Sequence, residues 1–572
     1  MITPLHWRAL SHWRAEDSPL SSWRSALFRS RVGEEIPPLS KVVLASAPNS
    51  RGSARTPEGP ARTLLRRHGW LLAMVALALL VGELPHALAA CCAPPGATGL
   101  GTAWFVNDFS QYEYAIRQGA QDPSPFSGWL VHDPFTAESQ PAAFMFPLYV
   151  GIGKLAAATD VPPTALEQLV EIAARALLVL ALWRFARAFA RGKQAARWAF
   201  ALALFASGFE VFGAALGGYS GNWSYELNGF GLLFAAPHVP LAMAATLELA
   251  RDGLRPLRSV NLIKVAGLSA AIAVLHPFHA PVLLGAMFIA GLLFWRSKRG
   301  ITNLVVAVVA GAAALPALLP TVATFTFQPF WVSTYSAQNL LPSPAPHELF
   351  VDLGPTLVLA LIGAFFLRGR IAPFGLVLWL LLALIAMYIP VAYQRRLGFG
   401  IEPMLAVLAS NALVSICAGL TPRKAALMRL GTVALAASST VLVLVSVVAS
   451  GFRNAPLPVY RSTSDLDAAA TWLSGEAAPT DLILADWDAS NYLAARTPAH
   501  VYGGHPVATL HPDQKRFAIA TVFAHPSSLI VARELGAQWL VYGPEEAAIA
   551  APPDPAFQSG VVRVYQVTAN GS

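Results

Sequence analysis

Residues 69–114, "GWLLAMVALALLVGELPHALAACCAPPGATGLGTAWFVNDFSQYEY", join a long apolar run to a segment rich in acids and aromatics. The run holds roughly the 20 apolar residues that a helix needs to cross a bilayer. Arg66 and Arg67 precede it, and Lys and Arg at a span end favour the cytoplasmic side. The acidic segment then emerges on the opposite side. The fold follows from whether this pattern recurs.

It does recur. The chain has 572 residues, 55% hydrophobic and 13% charged, with a mean hydropathy of +0.51, well outside the range of an ordinary soluble domain. About eleven runs reach or approach spanning length, near 70–90, 166–186, 198–217, 230–250, 260–278, 279–295, 302–324, 349–367, 373–392, 402–420 and 427–450. Basic residues collect in alternate connections: Arg184, Arg187, Arg191, Lys193 and Arg197; Arg251, Arg255 and Arg258; Arg296, Lys298 and Arg299; Arg368 and Arg370; Arg423, Lys424 and Arg429. With the basic tail they place the N-terminus inside and, for an odd count, the C-terminus outside. The formal charge of +8 is then a cytoplasmic membrane face and requires no nucleic acid.

The expected fold class is mainly α: a polytopic membrane protein with about eleven transmembrane helices and a small extracytoplasmic α/β domain at the C-terminus. Residues 1–68 read as a disordered, basic cytoplasmic tail, and 69–452 as the membrane domain, with a long acidic outer loop over 91–143. Within that loop Asp108, Glu113, Asp122, Asp133 and Glu138 oppose the lone Arg117. "PAAFMFPLYVGIGKLAAA" (141–158) reads as an interfacial helix. From 453 the composition becomes that of a soluble domain. There "DLILADW", "AQWLVYG" and "VVRVYQV" are expected strands, and "DLDAAATWLSG" and "SSLIVARELGA" expected helices. "LAAC" at 88–91 matches a lipoprotein cleavage box, but cleavage would remove the helix anchoring the loop. A disulfide between the neighbours Cys91 and Cys92 is sterically strained.

Most unusual polar residues fall on the outer side: Asp108 and Glu113, then Glu210, then Glu226 in "GGYSGNWSYELNGF", then His276 and His279 in "LHPFHAP", then Arg395, Arg396 and Glu402 in "YQRRLGFGIEP". Arg395 and Arg396 run against the basic-inside trend and call for an anion, because charge near lipid is costly. A lipid phosphate gripped by the guanidinium fork and a salt bridge to Glu402 or to a loop carboxylate both satisfy that need. The two histidines read either as metal ligands or as residues capping a helix end. Asp108 and Glu113, five positions apart, would not share a helix face. A carboxylate there can take a proton from an attacking hydroxyl or hold a divalent cation, while Arg stabilises charge on a departing phosphate. There is no Walker loop, Cys-x-x-Cys pair or nucleophile elbow in a suitable context.

"VNDFSQYEYAIRQG", "GWLVHDPFT", "PLYVGIGKLAA", "YQRRLGFGI" and "VYGGHPVATLHPDQK" resemble the polytopic glycosyltransferases of the C-type fold: protein mannosyltransferases, the lipid A aminoarabinose transferase and the oligosaccharyltransferases. The likeness covers about residues 70–520 and fits a bacterial branch of that superfamily. It implies a polyprenyl-phosphate sugar as donor, an extracytoplasmic glycan, lipid or protein as acceptor, and a place in the cytoplasmic membrane of a bacterium. It further implies Asp108 as base or metal ligand, with Mg or Mn as the divalent cation. Asn107 stands where well-known members carry a second acid, so Glu113, Asp133, Glu210 or Glu226 is expected to supply it. Tyr112, His276, His279, Glu210, Glu226, Arg395 and Arg396 are the expected substrate-binding set, with His505 and Lys515 positioning the acceptor. A non-catalytic lipid-phosphate-binding scaffold is the alternative reading, and a transporter the third.

Overall fold

The computed structural model describes residues 60–91, 96–99, 106–209, 227–253, 255–365, 371–442, 444–445 and 461–567. Residues 68–572 form one compact unit. Of the expected tail, 1–59 lies outside the described residues, as do Glu210 and Glu226, whereas 60–68 is helical and continues into the first apolar run, so the disordered tail does not extend to 68.

Helix α1 (Pro60–Cys91) leads to strand β1 (Ala97–Gly99) and then to α2 (Val106–Gln121), α3 (Pro147–Thr159), α4 (Pro163–Phe189) and α5 (Gly192–Phe205). The bundle continues through α6 (His238–Asp252), α7 (Leu262–Leu275), α8 (Ala280–Leu293), α9 (Lys298–Phe327), α10 (Pro346–Phe365), α11 (Ile371–Ala386), α12 (Ile401–Cys417) and α13 (Pro422–Ala436). Helix α10 is broken at Gly354, whose φ of 49° precedes Pro355.

Among the described residues three helices are long and apolar enough to cross a membrane: Lys298–Phe327, Pro346–Phe365 and Gln394–Cys417. Shorter apolar helices cover Gly69–Leu84, Leu262–Leu275, Pro277–Leu293 and Phe374–Ala386. The expectation of about eleven full-length spans is therefore met only in part, since junctions such as His276–Pro277 cut the apolar runs into helices of 14 residues, about 21 Å long. The long helices differ in what surrounds them. In Lys298–Phe327 only 22% of the apolar window is buried, against 83% in Gln394–Cys417. Leu315 and Leu319, 58% and 62% exposed, thus form an apolar outer surface, which water would penalise and lipid would not. Helix α12 is the bundle's axis, with Met404, Leu405, Leu408 and Leu413 fully enclosed.

The acidic segment expected as a loop contains α2, which packs on α3. Tyr112, Ala115, Ile116 and Gly119 fall at helical spacing, and a Cβ on Gly119 or Gly153 would strike the facing backbone at 2.1 or 1.9 Å. Glycine at these two crossings lets the helices meet.

The C-terminal part begins with β2 (Arg461–Thr463), paired antiparallel to β1. It continues through α14 (Ser464–Glu476), β3 (Leu482–Leu484), α15 (Trp487–Arg496), β4 (His500–Val501), α16 (Pro512–Ala524), α17 (Ser528–Glu534), β5 (Trp539–Tyr542), β6 (Phe557–Ser559) and β7 (Val562–Gln566). The sheet order is β4-β3-β5-β7-β6, parallel among β4, β3 and β5 and antiparallel beyond. Alternating side chains serve opposite faces. Ile483, Val541 and Val564 pack with Leu466, Leu473 and Leu493 of α14 and α15, while Leu484, Leu540 and Tyr565 pack with Ile519, Val522 and Ala532 of α16 and α17. The three expected strands and two expected helices all form. The open edge at β4 is covered by the segment after α2: Val501 donates its N–H to Pro134 O at 2.8 Å, and Thr136 bridges Gly503.

Candidate active site

Asp108 sits in the first turn of α2, where the helix dipole favours a carboxylate. Its side chain is 46% exposed, and Oδ1 lies 3.4 Å from His505 Nε2. Tyr112, one turn on, stacks on Tyr149 of α3 with centroids 4.2 Å apart and planes 5° from parallel. The Tyr149 hydroxyl and His238 Nδ1 share a 2.9 Å hydrogen bond, and Tyr112 meets the His238 ring edge-on at 5.5 Å.

His238 opens α6 and connects this face to the histidine turn. The His276 ring stands 6.0 Å from His238 and 4.6 Å from His279, and Phe399 packs on both. The Arg396 guanidinium lies 5.2 Å over Phe278 and acts electrostatically on His238 and His276. Asp108 acts on His238 as well, with the opposite sign. Sequence reasoning passed over His238; a lone histidine opening an apolar run after a proline was its signal.

Arg395 and Arg396 part company. Arg395 is 6% exposed, whereas Arg396 is half-buried and makes no ion pair among the described residues. Nor does Glu402 pair with either: it is buried in the first turn of α12 with Oε1 unpartnered among the described residues. The salt bridge to Glu402 weighed for the arginine pair does not form.

Glu113 points elsewhere. It pairs with Arg496 of α15 at 2.8 Å, and Arg496 also lies 3.8 Å over Tyr492. Burial pushes Glu113 up to about 7 against the pull of Arg496. As expected from their spacing, Asp108 and Glu113 share no face, so the second acid is not supplied by Glu113. Asp133 is also removed: it is 3% exposed, and Oδ1 accepts the Phe135 N–H at 2.9 Å. Burial raises it to about 7 as well.

The residues expected to meet an acceptor are spent inside the protein. Lys515, 6% exposed, donates to Glu138 at 2.6 Å and Thr136 at 3.1 Å, and burial lowers its pKa. His505 is 1% exposed, and its Nδ1 accepts the N–H groups of Val507 at 3.1 Å and Ala508 at 3.0 Å. The motif "GGHPVATLHPDQK" is thus the seat of the segment after α2.

A divalent ion needs several hard ligands converging, and among the described residues no three carboxylates, histidines or cysteines stand close enough to hold one. Asp108 offers one carboxylate, with no second acid beside it among the described residues.

Neither a known family model nor a curated protein matches the sequence. Solved structures do resemble it. An Archaeoglobus fulgidus oligosaccharyltransferase tethered to an acceptor peptide containing the NVT sequon is 13% identical, with a TM-score of 0.48 over 84% of this chain and 69% of that one. The oligosaccharyltransferase AglB of the same organism, in complex with an inhibitory peptide and dolichol-phosphate, is 14% identical with a TM-score of 0.46 over 84% and 70%. ArnT from Cupriavidus metallidurans, bound to undecaprenyl phosphate, is 14% identical with a TM-score of 0.47 over 88% and 98%. At these identities and scores the likeness assigns no reaction and no residue role, so the functional case rests on the site itself.

Proposed function

We propose that this protein is a membrane glycosyltransferase that moves a sugar from a polyprenyl-phosphate donor to an acceptor outside the cytoplasm. The observation that carries the reading is that a half-exposed carboxylate, Asp108, and a guanidinium with no ion pair among the described residues, Arg396, both stand near enough to His238 to act on its charge. Arg396 holds the donor phosphate, which leaves with the electron pair of the broken sugar–oxygen bond. Asp108 takes the proton of the acceptor hydroxyl as its oxygen bonds the sugar carbon. Tyr112, only partly buried and backed by the stacked Tyr149, gives a ring for the sugar to pack on, with the buried His276 behind the phosphate side. The basic connections favour an N-terminus inside and a C-terminal part outside, and the motif resemblance favours the cytoplasmic membrane of a bacterium.

The test is turnover of radiolabelled polyprenyl-phosphate sugars by the full chain in lipid nanodiscs. Sugar release or transfer that is lost in Asp108→Asn supports the reading; full activity in that variant overturns it. A second reading, lipid-phosphate binding without turnover, draws on Asn107 beside Asp108. It predicts donor binding that depends on Arg396 and no product from any donor.

A further inference from the structure

His505 belongs to the C-terminal part, yet its ring is buried against the segment that follows α2. Phe135 lies 5.5 Å from it. Thr509 accepts the His505 N–H at 3.0 Å and donates its hydroxyl to Phe135 O at 2.6 Å. Gln338 holds the same turn from the bundle side, donating to Val507 O and Thr509 O at 2.9 Å each. The imidazole has no freedom to rotate in this seat. Two backbone N–H groups point at Nδ1, so Nδ1 must be the bare nitrogen and the ring proton must sit on Nε2. Nε2 has no hydrogen-bond partner among the described residues, and the nearby acceptor is Asp108 Oδ1 at 3.4 Å. A buried N–H calls for a partner, and catalytic contacts are often long before substrate binds.

We propose that His505 is a positioning residue for Asp108: its tautomer is fixed by the Val507 and Ala508 amides, and its Nε2–H holds the carboxylate in the orientation that faces the acceptor. The C-terminal part thereby completes the site in the bundle, by aiming the base and not by binding acceptor through this histidine. The inference rests on Asp108 being the base of the proposed transfer.

Two substitutions separate the ring's two jobs. His505→Gln keeps an N–H near the position of Nε2, whereas His505→Asn keeps an acceptor near Nδ1 and loses the donor. In nanodiscs, with polyprenyl-phosphate sugar, His505→Asn is expected to lose about 10- to 100-fold in kcat with KM unchanged, and His505→Gln to retain most of it. Equal losses in both variants would overturn the proposal. A second readout needs no turnover. In nitrogen-15 histidine spectra of the full chain, with the His505 signal identified by its absence in His505→Gln, Nε2 should carry the proton and its signal should move in Asp108→Asn. A protonated Nδ1, or a signal that Asp108→Asn leaves in place, sinks the pairing. If no donor turns over in the wild type but the signal moves, the pairing stands and the transferase reading falls.

Discussion

Helix α2 carries two carboxylates that its two faces treat in opposite ways. Asp108 is half-exposed, at the end where the dipole favours charge, with tyrosines, histidines and Arg396 grouped beyond it. Glu113 is held by Arg496 of the C-terminal part, its exposure down to 20%. The difference shows that acids sharing one short segment need not share a role. One is left open to a substrate, and the other binds the two parts of the molecule together.

The largest effect follows from exchanging each acid for its amide. Asp108→Asn should cut sugar transfer by about 10²–10⁴-fold, the usual worth of a positioned base, without changing the melting temperature. Glu113→Gln should leave transfer within a few-fold. Comparable losses in the two variants would dissolve the distinction. Next comes the phosphate side. Arg396→Ala should weaken donor binding by about 10- to 100-fold, as expected for lost charge-assisted hydrogen bonds, with unchanged stability. Arg395→Ala, at a residue only 6% exposed, should act mainly on the melting temperature. Titration of donor into each variant in nanodiscs checks this, and equal affinities for both would reject the assignment of the phosphate to Arg396.

Much of this organisation was open to a reader of the sequence. Long apolar runs and basic connections are required by lipid itself, and "DLILADW" and "VVRVYQV" carry strand patterns that later contacts did not override. Helix α2 was missed because its buried face is thin. Tyr112, Ala115, Ile116 and Gly119 lie at helical spacing, but the packing there depends on Gly119 and Gly153 meeting backbone, which hydrophobicity does not reveal. The pairing of Asp108 with His505 and the seating of Phe135 and Thr136 on "GGHPVATLHPDQK" join segments far apart in the chain. No local pattern encodes such contacts, and a polar, His-bearing motif reads as a binding loop until its partner is seen.

On the structural face, Arg496→Ala would leave Glu113 buried beside Arg117 alone. The expected loss is about 1–3 kcal/mol of stability, the cost of stranding a mostly buried polar group. It should show in chemical unfolding of the full chain, with transfer by the remaining folded protein nearly normal.

The smallest effect is a pH slope, and it sharpens the structural side of the comparison. Glu113 is raised to about 7 in the folded protein, against roughly 4.3 for an unperturbed side chain. Between those values the folded state holds a proton that the unfolded state has released, so stability falls as pH rises from about 4.5 towards 7, by at most about 1.4 kcal/mol per pH unit from this group. Above 7 the group is charged in both states and its slope vanishes. Asp133 and Glu546, each raised by burial to about 7, slope the same way. Glu113→Gln should therefore shallow the decline in melting temperature between pH 5 and 7 without abolishing it, and Glu113→Gln/Asp133→Asn should shallow it further. A slope that Glu113→Gln leaves unchanged would remove the buried, structural role assigned to that face of α2.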